Sequence, residues 1–214
     1  MHIPDGFVAP QIYIPAYILD LLFVLYALRR FKSALQEKVI PYLASLSLFS
    51  FVISTLAIPL PGGTSVHGLG VAPISILFGY WVAFLSYSII LFLQATLLGE
   101  GGITTFPINS LLIALIGSLS AFYIHKVLRP MGESISLFVS GLGSTLLSAL
   151  FLAITLGIHP YLFKDERGMP IYFPFDYSIT LPALILPHII VGFGEGLLNV
   201  LLVRKLKKRI NYER

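Results

Sequence analysis

Long apolar stretches restrict the folds open to this chain of 214 residues. Runs at 12–28, 39–58 and 179–203 approach or exceed the ~20 residues that a helix needs to cross a bilayer. Charged residues make up 11% of the chain, about half their share in a soluble domain. The sequence therefore predicts an all-α, multi-pass protein of the cell membrane. No long linker divides residues 1–214, so we expect a single integral membrane domain.

The basic residues predict how the chain is oriented. Twelve of the fourteen Lys and Arg fall in three clusters, which the positive-inside rule assigns to the cytoplasmic side. The clusters are Arg29, Arg30, Lys32 and Lys38; Lys126 and Arg129; and Arg204, Lys205, Lys207, Lys208, Arg209 and Arg214. The other two basic residues lie with three acidic residues at 158–177, which indicates an external loop.

Counting crossings between these clusters predicts a seven-segment helical bundle with the N-terminus outside and the C-terminus inside. Five segments follow from the clusters, at 12–28, 39–57, 107–125, 134–157 and 179–203. Residues 69–98 must then begin and end outside. A single helix of that length would measure about 45 Å against a core of about 30 Å, so two passes are expected, with a break at Gly79-Tyr80-Trp81.

The third segment, residues 69–78, would cover only about half the bilayer core. The preceding residues, 59–68, hold two prolines and three glycines, which disfavour a regular helix. We expect this loop to dip into the bundle from outside and to carry His67 with it, since irregular backbone at depth is tolerated where it is buried in protein or lines a cavity. The alternative is a surface turn with His67 in solvent.

The first two residues offer a chelating set for a metal ion. No signal peptide is evident before Met1, so we expect a free amine there, next to the amide nitrogen and Nδ1 of His2. Together with His67 on the same face they would complete a flat, four-coordinate nitrogen set, which suits nickel, cobalt or copper rather than Mg²⁺ or Ca²⁺. The chain has no cysteine, so thiolate ligands are excluded. The alternative is a terminus that simply frays.

Four motifs in order resemble the substrate-capture subunits of nickel and cobalt energy-coupling-factor transporters. They are MHIPDG at 1–6, GGTSxH at 62–67, QAxxxGxGGIT at 94–104 and HxxxGxxEG at 188–196. The resemblance implies a non-catalytic subunit that binds its ion through Met1, His2 and His67. It also implies ATP-driven import with a membrane scaffold subunit and two ATPase subunits, and allows a small accessory membrane protein. Nickel is favoured over cobalt because the nitrogen set is planar.

One position departs from the family pattern. The family usually has two asparagines three residues apart after the Gly-Gly-x-Thr turn. Asn109 matches the first of these, but Leu112 stands at the second. A shared polar role for this helix start is therefore in question.

Most of the other polar residues have both a functional and a structural interpretation. Gln94 could form a hydrogen bond with a ligand or join helices, and Glu100 could attract cations or be a solvated loop carboxylate. His159, at the start of the external loop, looks incidental. Asp20, His188 and Glu195 could be structural, or they could form the relay of a proton-coupled secondary metal carrier, which is the alternative function. No internal repeat of such a carrier is visible. Zincin, serine-hydrolase and Walker A motifs are absent, so no catalytic activity is expected.

Overall fold

The structure is a computed structural model and describes residues 1–34, 37–60 and 64–213. Pro61, Gly62 and Gly63, which carry part of the second motif, lie outside the described residues, as does Arg214. The helices are α1 (Pro10–Ala34), α2 (Ile40–Thr55), α3 (Val71–Phe78), α4 (Tyr80–Leu93), α5 (Phe106–Asn109), α6 (Ile116–Leu128), α7 (Glu133–Gly157), α8 (His159–Leu162) and α9 (Tyr177–Glu213). The strands are β1 (Ile58–Leu60) and β2 (Thr64–Val66).

The predicted helical bundle is confirmed. Within the described residues, six helical segments are long and apolar enough to cross a membrane, and α3 is the short extra segment. Two of the six contain a wider π-helical turn. Gln94–Leu98 continues α4, and Ser110–Leu115 joins α5 to α6. Such turns are concentrated at functional sites.

Helix α3 is confirmed as a short helix at the centre of the bundle. It has only eight residues, and its side chains at Val71, Ala72 and Ile74 are fully buried. A helix that is apolar on every side is stable only when it is surrounded by protein. Gly79 has a φ of +94°, which a residue with a side chain rarely adopts, and it separates α3 from α4 where the break was predicted.

The loop before α3 differs in detail from the expectation of irregular backbone. Strands β1 and β2 pair antiparallel, with Ile58 opposite Val66 and Leu60 opposite Thr64. The hairpin ends at His67, which is buried. The predicted dip into the bundle is therefore confirmed, and pairing between the strands satisfies part of its backbone.

Helices α7 and α9 pack closely along their length because small residues face one another. A Cβ added at Gly141 would lie 2.7 Å from the carbonyl oxygen of Glu195. One added at Gly196 would lie 2.7 Å from the ring of Phe138. Small residues permit such close approach of helices in lipid, where no hydrophobic force draws helices together.

The two ends of the bundle differ in character. At one end, Lys207 of α9 pairs with Glu133 of α7 at 2.5 Å. Lys126, Arg129 and Lys207 line one cavity there, so the basic clusters near the ends of α6 and α9 lie together. At the other end, the first residues of the chain contact strand β2, the loop after α4 and helix α8, as described below. The positive-inside rule predicts that the basic end is cytoplasmic.

Candidate metal centre

Residues 1–9 form a segment, here called the N-terminal strap, that folds back over the bundle instead of fraying. Met1 and His2 are 1% and 5% exposed, and Ile3 is buried as deeply. An ordered terminus needs contacts that offset its conformational entropy. The strap has three sets of such contacts.

The first set is a pair of hydrogen bonds between Asn109 and Ile3. The Ile3 N–H donates to Asn109 Oδ1 at 2.9 Å, and Asn109 Nδ2 donates to the Ile3 carbonyl at 3.0 Å. The hydroxyl of Thr105 donates to the same carbonyl at 2.6 Å. Asn109 therefore has a polar role in positioning the strap, although Leu112 occupies the second asparagine position.

The second set involves Asp5 and the loop after α4. The Asp5 carboxylate accepts hydrogen bonds from the backbone N–H of Ile103 at 3.1 Å and of Thr104 at 2.8 Å, and from the Thr104 hydroxyl at 2.5 Å. Burial opposes ionisation of Asp5, but these bonds prevail and lower its pKa. The glycines of the third motif make room for the strap, because a Cβ at Gly102 would lie 2.0 Å from Asp5 Oδ1.

The third set anchors the end of the strap to α8. The Ala9 N–H donates to Nε2 of His159 at 3.3 Å, while Nδ1 of His159 donates to the Thr155 carbonyl at 2.7 Å. The ring of Phe7 packs on Phe173 with centroids 5.3 Å apart. The interpretation of His159 as incidental was wrong, because its partner in the strap is 150 positions away in sequence.

His67 is held in the bundle by a contact from α9. The carboxyl oxygens of Glu195 accept the backbone N–H groups of Leu69 at 2.9 Å and Gly70 at 3.0 Å. A Cβ at Gly68 would lie 2.7 Å from Glu195 Oε1, so the loop and the carboxylate fit closely. Glu195 therefore fixes the turn between His67 and α3, which supports the structural interpretation of this residue.

The rings of His2 and His67 lie next to each other, with centroids 4.5 Å apart and planes inclined by 23°. A ring nitrogen about 2.0 Å from a metal places the ring centroid about 3.1 Å from it, so two ligands at a right angle hold their centroids about 4.4 Å apart. The observed spacing thus accommodates two neighbouring ligands of one ion. Nδ1 of His67 donates to the Gly68 carbonyl at 2.9 Å, which leaves a lone pair on its buried Nε2.

The Met1 amine lies in the same site. It donates to the Ser65 carbonyl and to Ser65 Oγ, the latter at 3.0 Å. Burial lowers the pKa of this amine well below its usual range, against a smaller opposing effect of Glu100. Burial and the neighbouring amine lower the pKa of His2 to about 3, and they also lower the pKa of His67. Burial therefore favours the neutral form of all three groups, in which each nitrogen has a lone pair for a metal ion.

Gln94 supports His2 from the π-helical turn after α4. Its Nε2 donates to Ser54 Oγ at 2.8 Å, and its Oε1 is buried without a partner among the described residues, as is His2 Nε2. Gln94 is close enough for a hydrogen bond to act on the His2 ring. A histidine that binds metal through Nδ1 presents its Nε2–H to a second acceptor, and Gln94 Oε1 is suited to that role.

The other polar residues named from the sequence are Glu100, His188 and Asp20, and they differ in how they relate to this site. Glu100 is partly buried and acts electrostatically on the amine, so it is not a fully solvated loop carboxylate. His188 has its Nδ1 on the Leu184 carbonyl at 2.6 Å and its buried Nε2 unpaired within the described residues. Asp20 lines a groove between α1 and α4 whose lining includes neither His188 nor Glu195. Nowhere in the described chain do three His, Asp, Glu or Cys side chains cluster in a way that could hold a metal, so the candidate centre depends on the Met1 amine and a backbone amide beside its two histidines.

Sequence reasoning placed Met1, His2 and His67 on one face, and the structure brings them together. It missed the supporting roles of Asp5 and Asn109, and it gave Gln94 as a residue that could join helices, which agrees with its bond to Ser54 but leaves out its position beside His2. All three lie within or next to the motifs, but their roles depend on partners as many as 106 positions away.

Comparison with known proteins identifies the relatives of this chain. The profile of the CbiM family, described as the cobalt uptake substrate-specific transmembrane region, matches residues 2–211. The fused nickel transport protein NikMN of Rhodobacter capsulatus is 33% identical over 97% of this chain, which spans 62% of that protein's length. The cobalt transport protein CbiM of Salmonella typhimurium is 31% identical over 98% of this chain and 84% of its own.

Solved structures agree with these sequence matches. A crystal structure of a truncated transition metal transporter superposes with a TM-score of 0.93 at 30% identity, covering 98% of this chain and 99% of that one. A second transition metal transporter gives a TM-score of 0.92 at 31% identity. With its apolar helices and the family match over nearly its whole length, this multi-pass membrane chain belongs to the CbiM family.

Proposed function

We propose that this chain is the substrate-capture subunit of an importer for a divalent transition-metal ion, with nickel favoured over cobalt. The observation that carries the proposal is the convergence of the Met1 amine, His2 and His67 as buried nitrogen donors whose neutral forms are favoured by burial. The ligands would be the amine, the amide nitrogen and Nδ1 of His2, and Nε2 of His67. Relatives named as nickel and cobalt transport proteins support the substrate class.

Selectivity would follow from the shape and charge of this site. The amine, the amide and Nδ1 of His2 close two fused rings that hold their nitrogens near one plane. A planar nitrogen set favours Ni(II), whereas Mg²⁺ and Ca²⁺ prefer several oxygen ligands. Burial excludes water that would otherwise compete for the ion, and the strap would have to open locally for the ion to enter, because all three residues are covered.

Transport would be driven by partner subunits, since the chain has no Walker A motif. We expect a membrane scaffold subunit and two ATPase subunits, with or without a small accessory membrane protein. A cleft of about 610 Å³ between α1, α2 and α4 is lined in part by the small residues Ala44 and Ser47, which would let a scaffold helix approach closely. The sequence of α2 places Ser50 and Ser54 near the same helix face as Ala44 and Ser47, but both are buried inside the bundle, where Ser50 Oγ donates to the Gly70 carbonyl at 2.9 Å.

The test of capture is to lengthen the chain by one glycine before Met1. The added residue converts the amine into an amide and requires space at a position that is 1% exposed. Nickel binding, measured by isothermal titration of the purified protein, should be lost although every side chain is retained. A glycine added after Arg214 is the matched control and should bind normally. Full affinity in the N-terminally extended protein would exclude the amine from the ligand set.

The test of docking uses the two outward-facing small residues. Replacing Ala44 and Ser47 with Leu should abolish transport in cells while nickel binding by the purified protein is retained. Leu201→Phe is the control. Leu201 is an exposed residue of α9 outside the cleft, so this variant adds bulk to the membrane-facing surface without blocking the proposed docking site. Normal transport by the Ala44 and Ser47 variant would exclude this cleft as the docking surface.

A further inference from the structure

A second cavity, here called the basal cavity, lies at the basic end of the bundle. Its volume is about 480 Å³, and α3, α6, α7 and α9 contribute to it. One wall is apolar and the rim is charged. The apolar residues are Ile76, Leu77, Phe122, Val203 and Ile210, and the polar ones are His125, Lys126, Arg129, Glu133 and Lys207.

The rim of the basal cavity carries excess positive charge. Lys207 is paired with Glu133 at 2.5 Å, but Lys126 and Arg129 have no hydrogen bond or ion pair within the described part of the chain. The positive charges of these two side chains are therefore not neutralised by an acidic residue of the described chain.

A buried polar atom also lacks a partner here. Nδ1 of His125 is inaccessible to solvent and makes no hydrogen bond to any described residue. The charges of Arg129, Lys207 and Glu133 all act on its ring, so these groups converge on one place. Buried polar atoms are normally satisfied, so this nitrogen marks a polar place in the wall of the cavity, close to the two cations on its rim.

Aromatic residues place the cavity at the depth of the membrane interface. The ring of Phe122, which lines the cavity, packs on Tyr80 at 5.2 Å and on Tyr123 at 5.5 Å, and Tyr80 packs on Trp81 at 5.1 Å. Trp and Tyr are enriched where hydrocarbon meets headgroups. The apolar wall therefore faces acyl chains while the basic rim lies level with phosphate groups.

We propose that the basal cavity binds the headgroup of an anionic phospholipid. The phosphate would accept hydrogen bonds from Arg129 and from Lys126, whose side chains line the cavity. The planar guanidinium of Arg129 suits two phosphate oxygens at once, and Lys126 supplies a point charge. The acyl chains would lie along Leu77 and Phe122. Basic pockets between transmembrane helices on the cytoplasmic side are a recurrent form of lipid site.

A soluble phosphate shares the headgroup chemistry but would leave the apolar wall uncovered. The experiment therefore compares phosphatidylglycerol, phosphatidylcholine and glycerol 3-phosphate as probes. Each is added to delipidated protein in detergent, and binding is followed by native mass spectrometry and by the shift in the thermal unfolding midpoint. Only phosphatidylglycerol should bind tightly and raise the midpoint. Equal binding of phosphatidylcholine, or saturation by glycerol 3-phosphate at the same concentration, would overturn the proposal.

The variant that tests the site is Lys126→Gln with Arg129→Gln. Affinity for phosphatidylglycerol should fall about 30-fold, which corresponds to about 2 kcal/mol for two basic side chains at an anionic surface. The matched control is Arg29→Gln with Lys38→Gln, which removes the same charge from the same end of the bundle outside the cavity. An equal loss in both pairs would show that diffuse surface charge, not the cavity, binds the lipid.

A milder variant keeps the test valid if the double variant is unstable. Arg129→Lys retains the charge but removes the planar fork, so it should weaken binding of phosphatidylglycerol several-fold while the midpoint without lipid stays unchanged. Unaltered affinity in both Arg129→Lys and Arg129→Gln would overturn the role assigned to this residue. Neither variant touches the candidate metal centre, which lies at the other end of the bundle.

Discussion

Replacing Glu195 with Gln should weaken metal binding without unfolding the bundle. The carboxylate accepts two buried N–H groups, from Leu69 and Gly70, and these bonds position the backbone that follows His67. A glutamine side chain has one accepting oxygen, so one of the two N–H groups would face an NH₂ donor. The loop would then sample conformations in which His67 is misplaced.

The size of the effect follows from the lost bond. A hydrogen bond to a charged group contributes about 1.5–3 kcal/mol, and leaving a buried donor unpaired costs a similar amount. If the loss appears wholly in the position of His67, affinity for nickel falls about 10- to 150-fold. Glu195→Asp keeps two carboxylate oxygens on a shorter side chain, so its nickel affinity should lie between those of the wild type and Glu195→Gln.

The measurement is a nickel titration of purified wild-type and Glu195→Gln protein, with thermal unfolding recorded in parallel. Glu133→Gln is the matched control, since it removes a carboxylate that is 42% exposed and pairs with Lys207 at the opposite end. An exposed ion pair contributes at most about 1 kcal/mol, and it does not contact the site, so nickel affinity should not change in the control.

Wild-type nickel affinity in Glu195→Gln would refute the reasoning that this carboxylate positions the loop. The same variant also bears on the proton-coupled carrier. A relay that needs Glu195 would lose transport while equilibrium binding of nickel remained intact, whereas a positioning role predicts that binding itself is weakened.

Three further predictions concern the strap and the ligands. Asn109→Ala removes two hydrogen bonds to Ile3, each worth about 0.5–1.5 kcal/mol, and should lower nickel affinity by up to about 150-fold. The control is Asn199→Ala, which removes two hydrogen bonds between α7 and α9 and should lower only the thermal unfolding midpoint. Gly102→Ala should displace Asp5, whose Oδ1 would lie 2.0 Å from the new Cβ, and a nickel titration should show weaker binding; unchanged affinity would mean that the loop shifts freely. Reference pKa values of the amine and imidazole predict that acidification from pH 8 to pH 6 weakens binding. Burial lowers both pKa values, that of His2 to about 3, so the imidazole should contribute nothing to this dependence and the amine less than its reference value implies. Displacement of the amide proton remains, so affinity in pH-corrected chelator competition should rise about tenfold or more per pH unit between pH 7 and 8.5, and a flat profile would exclude the amide as a ligand.

Much of the architecture is readable from local sequence because membrane insertion is governed by local chemistry. The length of each apolar run sets whether it spans, and the position of basic residues sets where it turns. The break at Gly79 and the shortness of α3 both follow from length alone, since 30 residues are too many for one crossing and ten are too few. Orientation of the termini rests on the same rule and stays a prediction.

The candidate ligand atoms of Met1 and His2 could be named from the sequence, because they lie close together in the chain. An amine, an amide and an imidazole within two residues can close a chelate on one ion, and their role as ligands stays a prediction. Their protonation was not predictable in this way. Reference pKa values describe solvated groups, whereas burial lowers those of Met1 and His2.

Only the tertiary structure decided what holds this set in place. The bonds from Asn109 to Ile3, from Glu195 to Leu69 and from His159 to Ala9 join residues 106, 126 and 150 positions apart. A polar side chain in an apolar helix has many possible partners, and its partner is determined by which helices pack together. The sequence by itself determined which atoms could bind a metal and how many times the chain crosses the membrane. Whether the amine, His2 and His67 come together was decided by the packing of the helices. Contacts between residues 106 or more positions apart in sequence form only when the whole bundle has folded.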